Sequence, residues 1–403
     1  MANISKYPRV SYQPFRLLYQ VAASASIIAR LPFWIVIGLV PSLRPNKQWS
    51  CLQTVMARFL RASLHMDSVI GLGEAETHSL KPPRGEGDRF VVIQPFDAHL
   101  YTGPLASDSS VTPEPVGGIW RPGPPPPTSL GAAAASSLKK VVMHVHGGAF
   151  VRDHPLTPAS GFLSTTLLAH AGADAVFSPR YRLSGHGGRN PFPAALQDAL
   201  TAYLYLTRGL GLPPQAVTLS GDSAGGNIAI ALLRYLSEHG AELGVPPPGR
   251  VVLVAPWVAP AACFPRRPVG EPAVEEMAHY GSDILPASFL QWGARTYAPG
   301  GDVEATRDNA YIQALGHPFR AGAPVLVSVG GAEILSTDGA AWAREMGAYE
   351  EDGGGGGVNN EVEVYVEVDA PHDTLLVGDS LRWEDSAARV AARIGEFIDK
   401  TQV

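Results

Sequence analysis

The chain has 403 residues, of which 45% are hydrophobic and 17% are charged, so it can bury a substantial core. Its formal net charge of −6 gives no electrostatic reason to expect a nucleic-acid partner, and no run of lysine and arginine stands out. The two cysteines, Cys51 and Cys263, form neither a metal-ligand spacing nor a disulfide framework. This usage favours a reducing compartment such as the cytoplasm.

Residues 1–80 are predicted to form a helical arm that contributes to a cap. Residues 27–40 are very apolar, but Arg30 and Pro32 interrupt them and leave too short a run for a spanning helix. Extended back to Leu17, the run approaches membrane length. A lid over an apolar pocket and an interfacial membrane helix are favoured over a membrane anchor. A second, amphipathic helix is predicted over residues 49–64, where apolar side chains recur at helical spacing.

The rest of the chain, residues 81–403, is predicted to form one domain in which strands and helices alternate. From residue 141 onward this alternation favours a doubly wound, mostly parallel sheet of eight strands with helices on both faces. The last strand alternates valine with glutamate or tyrosine, as a half-exposed edge strand should. The predicted strands cover residues 90–94, 118–121, 141–145, 175–178, 217–219, 251–255, 324–329 and 362–368.

The alternation stops over residues 256–322, where aromatic residues and prolines become frequent. We predict that this segment is an inserted helical cap. Two further stretches, the proline- and alanine-rich residues 121–138 and the polyglycine run 353–357, are predicted to be surface connections.

Residues 217–227 read Val-Thr-Leu-Ser-Gly-Asp-Ser-Ala-Gly-Gly-Asn and run into an alanine- and leucine-rich helical segment. A strand that meets Gly-x-Ser-x-Gly and passes at once into a helix is the context of a nucleophile elbow. Gly221, Ala224 and Gly225 supply the small side chains that so sharp a turn needs. We therefore predict that Ser223 is a nucleophile at the positive end of the following helix.

A serine hydroxyl needs a base, and the base needs an orienting carboxylate. Glu333 and His372 each follow a predicted strand, where the acid and the base of a doubly wound hydrolase lie. We predict that His372 is the base and that Glu333 is the acid. Asp338 remains a rival acid, although it could instead cap the following helix. Asp373 is the weakest candidate.

The segment His146-Gly147-Gly148-Ala149-Phe150 follows the strand over residues 141–145. Glycines at this position let backbone N–H groups approach the carbonyl of a substrate. Together with the N–H of Ala224, they predict an oxyanion hole formed by Gly147, Gly148 and Ala224. His146 is expected to hold the loop rather than to act as the base.

These paired motifs resemble the hormone-sensitive-lipase branch of the α/β-hydrolases. Residues 181–183 (Tyr-Arg-Leu), residues 192–198 (Phe-Pro-Ala-Ala-Leu-Gln-Asp) and Pro371-His372 are similar to segments of the same branch, and the likeness runs from Val141 to the C-terminus. The resemblance implies the α/β-hydrolase fold and a carboxylic-ester hydrolase with no metal or cofactor. It also implies the triad and the oxyanion residues named above.

Three departures from the family pattern stand out. The acid is Glu333 where the family usually has aspartate, Ala149 replaces a glycine and is expected to narrow the acyl pocket, and residues 184–190 are longer and richer in glycine. The proline-rich and polyglycine insertions and the apolar arm look similar to fungal esterase and lipase members, some of which act in secondary metabolism.

The leading hypothesis is hydrolysis of a carboxylic ester of an apolar small molecule through an acyl-enzyme. Acyl transfer or cyclisation is an alternative, because a dry pocket would favour an alcohol or amine of the substrate as the attacking group. A non-catalytic ligand receptor is a third hypothesis, which the retained His372 disfavours.

Overall fold

The structure is a computed structural model that describes residues 6–73, 79–82, 84–126, 138–265, 273–349 and 359–402. The predicted polyglycine connection and residues 127–137 of the proline-rich connection lie outside these ranges.

One eight-stranded sheet organises the chain, in the order β1-β2-β4-β3-β5-β6-β7-β8. β2 runs antiparallel to both its neighbours, and all pairs from β4 to β8 are parallel. The prediction of a mostly parallel eight-stranded sheet is confirmed. The strands are β1 (Phe90–Ile93), β2 (Val116–Arg121), β3 (Val141–Val145), β4 (Ala175–Arg180), β5 (Val217–Asp222), β6 (Arg250–Val254), β7 (Val325–Gly330) and β8 (Val362–Glu367).

Nine α-helices lie in the described part of the chain. They are α1 (Phe15–Leu39), α2 (Cys51–Ile70), α3 (Pro158–His170), α4 (Ala194–Leu204), α5 (Ser223–Leu243), α6 (Ala287–Tyr297), α7 (Ser336–Gly347), α8 (Thr374–Leu381) and α9 (Glu384–Lys400). Buried side chains of α3, α8 and α9 form a core on one face of the sheet, and those of α4, α5 and α7 belong to the core on the other. Helices therefore cover both faces, as the alternation predicts.

The arm differs from its prediction in one respect. α1 continues through Pro32 without a break, so the apolar run is a single helix of 25 residues. Proline removes one backbone hydrogen bond inside a helix. Pro32 is exposed on α1, where its ring meets no packed neighbour and the missing bond leaves no buried polar group. Sequence position alone did not reveal this tolerance.

Over the carboxyl edge of the sheet, the described parts of the cap, residues 256–265 and 273–322, form mostly turns and short 3₁₀ segments and contain one α-helix, α6. α2 from the arm packs against α6. Parallel β3, β5, β7 and β8 all end beneath these two helices. Loops that leave this edge are therefore the ones that meet in a single place.

Candidate active site

Ser223 is the first residue of α5 and directly follows β5. Its backbone φ is 50°, a value that residues other than glycine rarely adopt. The turn is possible because its neighbours are small. A Cβ on Gly225 would lie 2.0 Å from the carbonyl oxygen of Val145, so no larger residue fits where α5 crosses β3. The unpaired N–H groups at the start of α5 favour negative charge beside Ser223.

The loops after β7 and β8 bring Glu333 and His372 together. His372 Nδ1 lies 2.7 Å from Glu333 Oε2, and the backbone N–H of Gly330 donates to Glu333 Oε1 at 2.9 Å. Both side chains are buried. Asp338 lies in the first turn of α7 and lines a different, much smaller void beside Ile334. The carboxylate beside the imidazole is therefore Glu333.

The Glu333 carboxylate changes the pKa of the His372 imidazole. Burial by itself lowers the pKa of His372, but the hydrogen bond to Glu333 and its negative charge outweigh burial and raise that pKa to about 9. Burial raises the pKa of Glu333, and the contact with His372 opposes this rise. Glu333 thus favours an imidazolium, the species that forms when a base accepts the proton of a serine.

Asp283, in the cap, holds both loops and was not identified from the sequence. Its buried carboxylate accepts from the backbone N–H of His372 at 3.2 Å and from that of Ile334 at 2.8 Å. One side chain thus links the histidine loop with the residue that follows Glu333. No local pattern marks Asp283, because its partners are backbone groups far away in the sequence.

The loop after β3 differs from the predicted oxyanion hole at one position. The N–H of Gly147 donates to Asp222 Oδ1 at 2.9 Å, so it is not free for a substrate. Within the described ranges, the N–H groups of Gly148, Ala149 and Ala224 donate to no protein acceptor. Gly148 lines the cavity beside Ser223 and has a φ of 92°, and a Cβ there would lie 2.1 Å from the carbonyl oxygen of Arg152.

Ala149 does not narrow the cavity, contrary to the expectation from sequence. It is absent from the residues that line the cavity, and its methyl group faces α6. A Cβ built on Gly293 would lie 2.9 Å from that methyl carbon. The alanine in the motif is therefore accommodated by a glycine in the cap.

His146 packs beneath the same loop. Its ring stacks on Tyr181 at a centroid distance of 4.3 Å, and the Tyr181 hydroxyl donates to the carbonyl oxygens of His146 and Gly147. Burial lowers the pKa of His146 to about 4, so the ring is neutral at pH 7. This position agrees with a role in holding the loop.

Ser223 and His372 line one cavity of about 430 Å³, a volume typical of small-molecule sites. Most of its wall is apolar, and α2, the cap and α8 all contribute. The apolar lining residues are Leu60, Leu64, Pro158, Ala159, Ile284, Leu285, Phe289, Leu376 and Val377. Across the described ranges, no group of three or more histidine, cysteine, aspartate or glutamate residues is arranged to hold a metal ion.

α2 is held over this cavity by polar contacts at several points. Arg61 donates to the carbonyl oxygens of Tyr280 and Asp283 at 2.8 and 2.7 Å, and its guanidinium lies over the Tyr280 ring. Just before α2, the Trp49 indole N–H donates to the carbonyl oxygen of Asp369 at 2.6 Å. The arm therefore contacts both the cap and the histidine loop.

The family of the chain follows from this fold together with comparison to known proteins. The sequence profile described as "alpha/beta hydrolase fold" matches residues 142–376, which include every motif discussed above. The chain belongs to this family. A solved hormone-sensitive lipase from a metagenome library has the same fold, with a TM-score of 0.51 and 24% identity over 66% of this chain and 79% of that one. The α/β-hydrolase fold that the resemblance implied is confirmed.

Two curated relatives are each similar to about half of this chain. An acetyl-hydrolase of Streptomyces hygroscopicus is 33% identical over 49% of this chain and 59% of its own length. An ethyl acetate hydrolase of Pseudomonas putida is 30% identical over 51% of this chain and 59% of its own length. The matched region thus spans about three fifths of each of these relatives.

Proposed function

We propose that the chain hydrolyses carboxylic esters of apolar small molecules through an acyl-enzyme. In this mechanism Ser223 attacks the ester carbonyl, His372 takes the hydroxyl proton and Glu333 stabilises the resulting imidazolium. His372 then returns the proton to the leaving alcohol, and a water activated by the same base releases the acid. The N–H groups of Gly148, Ala149 and Ala224 are the proposed donors to the oxyanion.

A single observation carries this proposal. His372 is bonded to Glu333 at 2.7 Å and lines the same buried cavity as Ser223, which stands on a strained strand-to-helix turn. A fold alone does not require an acid, a base and a serine hydroxyl at a cavity wall to meet in this way.

The wall of the cavity supports an apolar substrate of modest size. Its volume is about 430 Å³, and leucine, isoleucine and phenylalanine side chains supply much of its wall, although Arg152 and Asp153 also line it. The two relatives named for acetyl-ester hydrolysis support a short acyl group. We infer that acetyl and butyryl esters of apolar alcohols are substrates.

The test is turnover of p-nitrophenyl acetate and butyrate by the purified chain. We expect wild type to release p-nitrophenol and Ser223→Ala to lose about 10⁴-fold or more of kcat. A wild type without turnover, or an undiminished Ser223→Ala, contradicts the proposal. Adding an acceptor alcohol and analysing the products separates hydrolysis, which yields the free acid, from acyl transfer, which yields a new ester.

We further propose that α1 associates with a lipid bilayer. An 18-residue window of α1 has a mean hydropathy of 1.7 and is only 22% buried. α2 covers one of its faces, while Phe15, Leu18, Ile28, Phe33 and Leu39 are each more than half exposed. α1 contributes no residue to the described lining of the cavity, whereas α2 contributes Leu60 and Leu64, and this supports α2 as the lid.

The charges around α1 favour anionic lipid as the partner. No aspartate or glutamate precedes Asp67, whereas basic residues lie on both sides of α1, at Lys6, Arg9, Arg44 and Lys47. Basic residues that flank an apolar helix are attracted to anionic headgroups by about 1 kcal/mol each.

Sedimentation with phosphatidylserine-containing vesicles tests this association. We expect the full chain to pellet with vesicles and a chain lacking residues 1–45 to stay in solution. Because truncation can unfold the protein, Ile28→Asn combined with Phe33→Ser is a second variant, and retained ester turnover shows that it is folded. Equal recovery of wild type and both variants in the supernatant contradicts the membrane proposal and leaves the esterase proposal intact.

A further inference from the structure

Two buried acids lie next to the proposed nucleophile and base. Asp222 directly precedes Ser223, and Asp373 directly follows His372. Both side chains line the cavity and are almost fully buried. They lie within hydrogen-bonding reach of each other.

In each of these two acids, Oδ1 accepts a hydrogen bond and Oδ2 does not. Asp222 Oδ1 accepts from the N–H of Gly147 at 2.9 Å and contacts His144 Nε2 at 3.0 Å. Asp373 Oδ1 accepts from the N–H of Leu376 at 3.2 Å and so caps α8. The Oδ2 atoms of both acids are buried, and neither has any N–H or O–H donor in the described structure.

Two such oxygens can bond each other only if one of them carries a proton. Two carboxylates this close in a buried site cannot both be ionised. Burial and the neighbouring Asp222 raise the pKa of Asp373 well above its usual range, and burial raises the pKa of Asp222 to about 6. Asp222 already accepts two hydrogen bonds and Asp373 only one, which favours the proton on Asp373.

Three titratable groups face the pair from the surrounding elements. His144 on β3 is neutral at pH 7, because burial lowers its pKa to about 4. Asp153, in the loop after β3, adds negative charge, and His372 adds positive charge when it is protonated. The state in which His372 is a neutral base is therefore also the state in which the pair most needs its proton.

We propose that Asp222 and Asp373 share one proton across their Oδ2 atoms and act as positioning residues for the triad. The bond ties the histidine loop to the elbow, and Asp222 Oδ1 ties the elbow to the loop of Gly147. Loss of the proton puts two negative charges in contact and separates His372 from Ser223. The effect on turnover rests on the proposed ester hydrolysis.

Asparagine variants separate the hydrogen bond from the proton. In Asp373→Asn the amide Nδ2 donates to Asp222 while Oδ1 still caps α8, so the bond no longer depends on pH. Asp222→Asn also keeps one donor between the two side chains. The double variant turns two NH₂ groups towards each other and breaks the contact. Asp379→Asn, an exposed change on the same helix α8, is the matched control.

The first readout is the pH dependence of kcat/KM. We expect Asp373→Asn to retain activity at least one pH unit further into the alkaline range than wild type, because its bond to Asp222 does not depend on a titrating proton, whereas Asp379→Asn should keep the wild-type profile. The double variant should lose about 100-fold in kcat, as misplaced catalytic groups do. The proposal is overturned if the alkaline limbs of the kcat/KM profiles coincide for wild type and Asp373→Asn. It is also overturned if the double variant has wild-type kcat.

The second readout needs no substrate. The folded wild type keeps a proton that the unfolded chain releases near pH 4, so its stability falls as pH rises from there through the folded pKa. Asp373→Asn has no such proton to lose, so its stability does not fall in this way. Its Tm should therefore rise relative to that of wild type between pH 5 and pH 9. The Tm of the control Asp379→Asn should follow that of wild type. If the difference in Tm between Asp373→Asn and wild type stays constant over this pH range, the proposal of a shared proton is overturned. An inactive wild type refutes only the esterase, because the Tm comparison still decides the pair.

Discussion

Glu333 uses both carboxylate oxygens, one for His372 Nδ1 and one for the N–H of Gly330. Glutamate has one more methylene than the aspartate usual in the family, and the loop after β7 delivers its carboxylate to the imidazole all the same. Ser223, Glu333 and His372 could be proposed from sequence because Ser223 directly follows a strand and the other two lie in the loops that leave later strands of the parallel sheet. Strand ends meet at one edge whatever the details of the loops.

Replacing Glu333 by glutamine should lower kcat by about 10⁴-fold, because a neutral amide neither fixes the tautomer of His372 nor stabilises the imidazolium. Asp338→Asn should keep wild-type kcat within about threefold, because Asp338 borders a separate void. Steady-state kinetics with p-nitrophenyl butyrate compare the two variants. Equal losses in both would show that Asp338 shares the role of the acid.

In the proposed mechanism, the raised pKa of His372 should set the acid limb of the rate profile. A base must be neutral to accept a proton, so kcat/KM should rise with pH through a pKa of about 9 and give an alkaline optimum. Removing the charge of Glu333 removes the cause of the shift. The residual activity of Glu333→Gln should therefore have its acid limb at lower pH. The measurement is kcat/KM from pH 5 to 10, corrected for spontaneous hydrolysis, and an unshifted limb contradicts this cause.

Asp283, Asp222 and Asp373 show where sequence reasoning stops. Asp373 was considered only as an acid for His372, and the structure turns it towards Asp222. The partners of these three acids are backbone N–H groups or one another, brought together from the cap, β5 and the histidine loop. Pairings of this kind depend on tertiary packing and leave no periodicity or spacing in the chain.

α2 was predicted from the spacing of its apolar residues, but that spacing did not predict its contacts with the cap. Apolar spacing favoured a packing surface over a site, but Leu60 and Leu64 of this apolar face line the cavity beside Ser223. The polar residue between them, Arg61, fastens α2 to the segment that carries Asp283. Asp283 thus connects α2 with the loops that carry Glu333 and His372.

Arg61→Ala should lower kcat/KM about tenfold and reduce stability by about 1–3 kcal/mol, because two carbonyl oxygens lose a charged donor. The backbone that carries Asp283 would then be less restrained. Arg30→Ala, on the exposed side of the arm, is the control and should change neither quantity appreciably. Kinetics and urea unfolding measure the two effects. Full activity with lowered stability would assign Arg61 to packing alone.

The whole molecule closes by contacts between its first and last segments. The indole N–H of Trp49 bonds a carbonyl 320 residues later, and Gln53 Nε2 donates to the carbonyl oxygen of Arg382 at 2.7 Å. Sequence reasoning placed the arm in the cap without predicting these contacts. Their separation in sequence is too large for any local pattern to encode.

Trp49→Phe should lower Tm by about 1–3 °C, because it removes one buried hydrogen bond and retains an aromatic ring against Trp383. Differential scanning calorimetry of the full chain measures this shift. Phe59→Tyr, on the outer face of α2, serves as the control and should leave Tm unchanged. An unchanged Tm in Trp49→Phe would show that the arm is held by its apolar contacts alone.

The long separation between Trp49 and its partner also has a consequence in time. At a synthesis rate of about 5–20 residues per second, the histidine loop leaves the ribosome roughly 16–64 seconds after the arm. During that interval α1 and α2 have exposed apolar faces and no folded domain to cover them. The apolar faces of the nascent arm therefore stay uncovered for tens of seconds before the segments that pack against them in the folded chain have been synthesised.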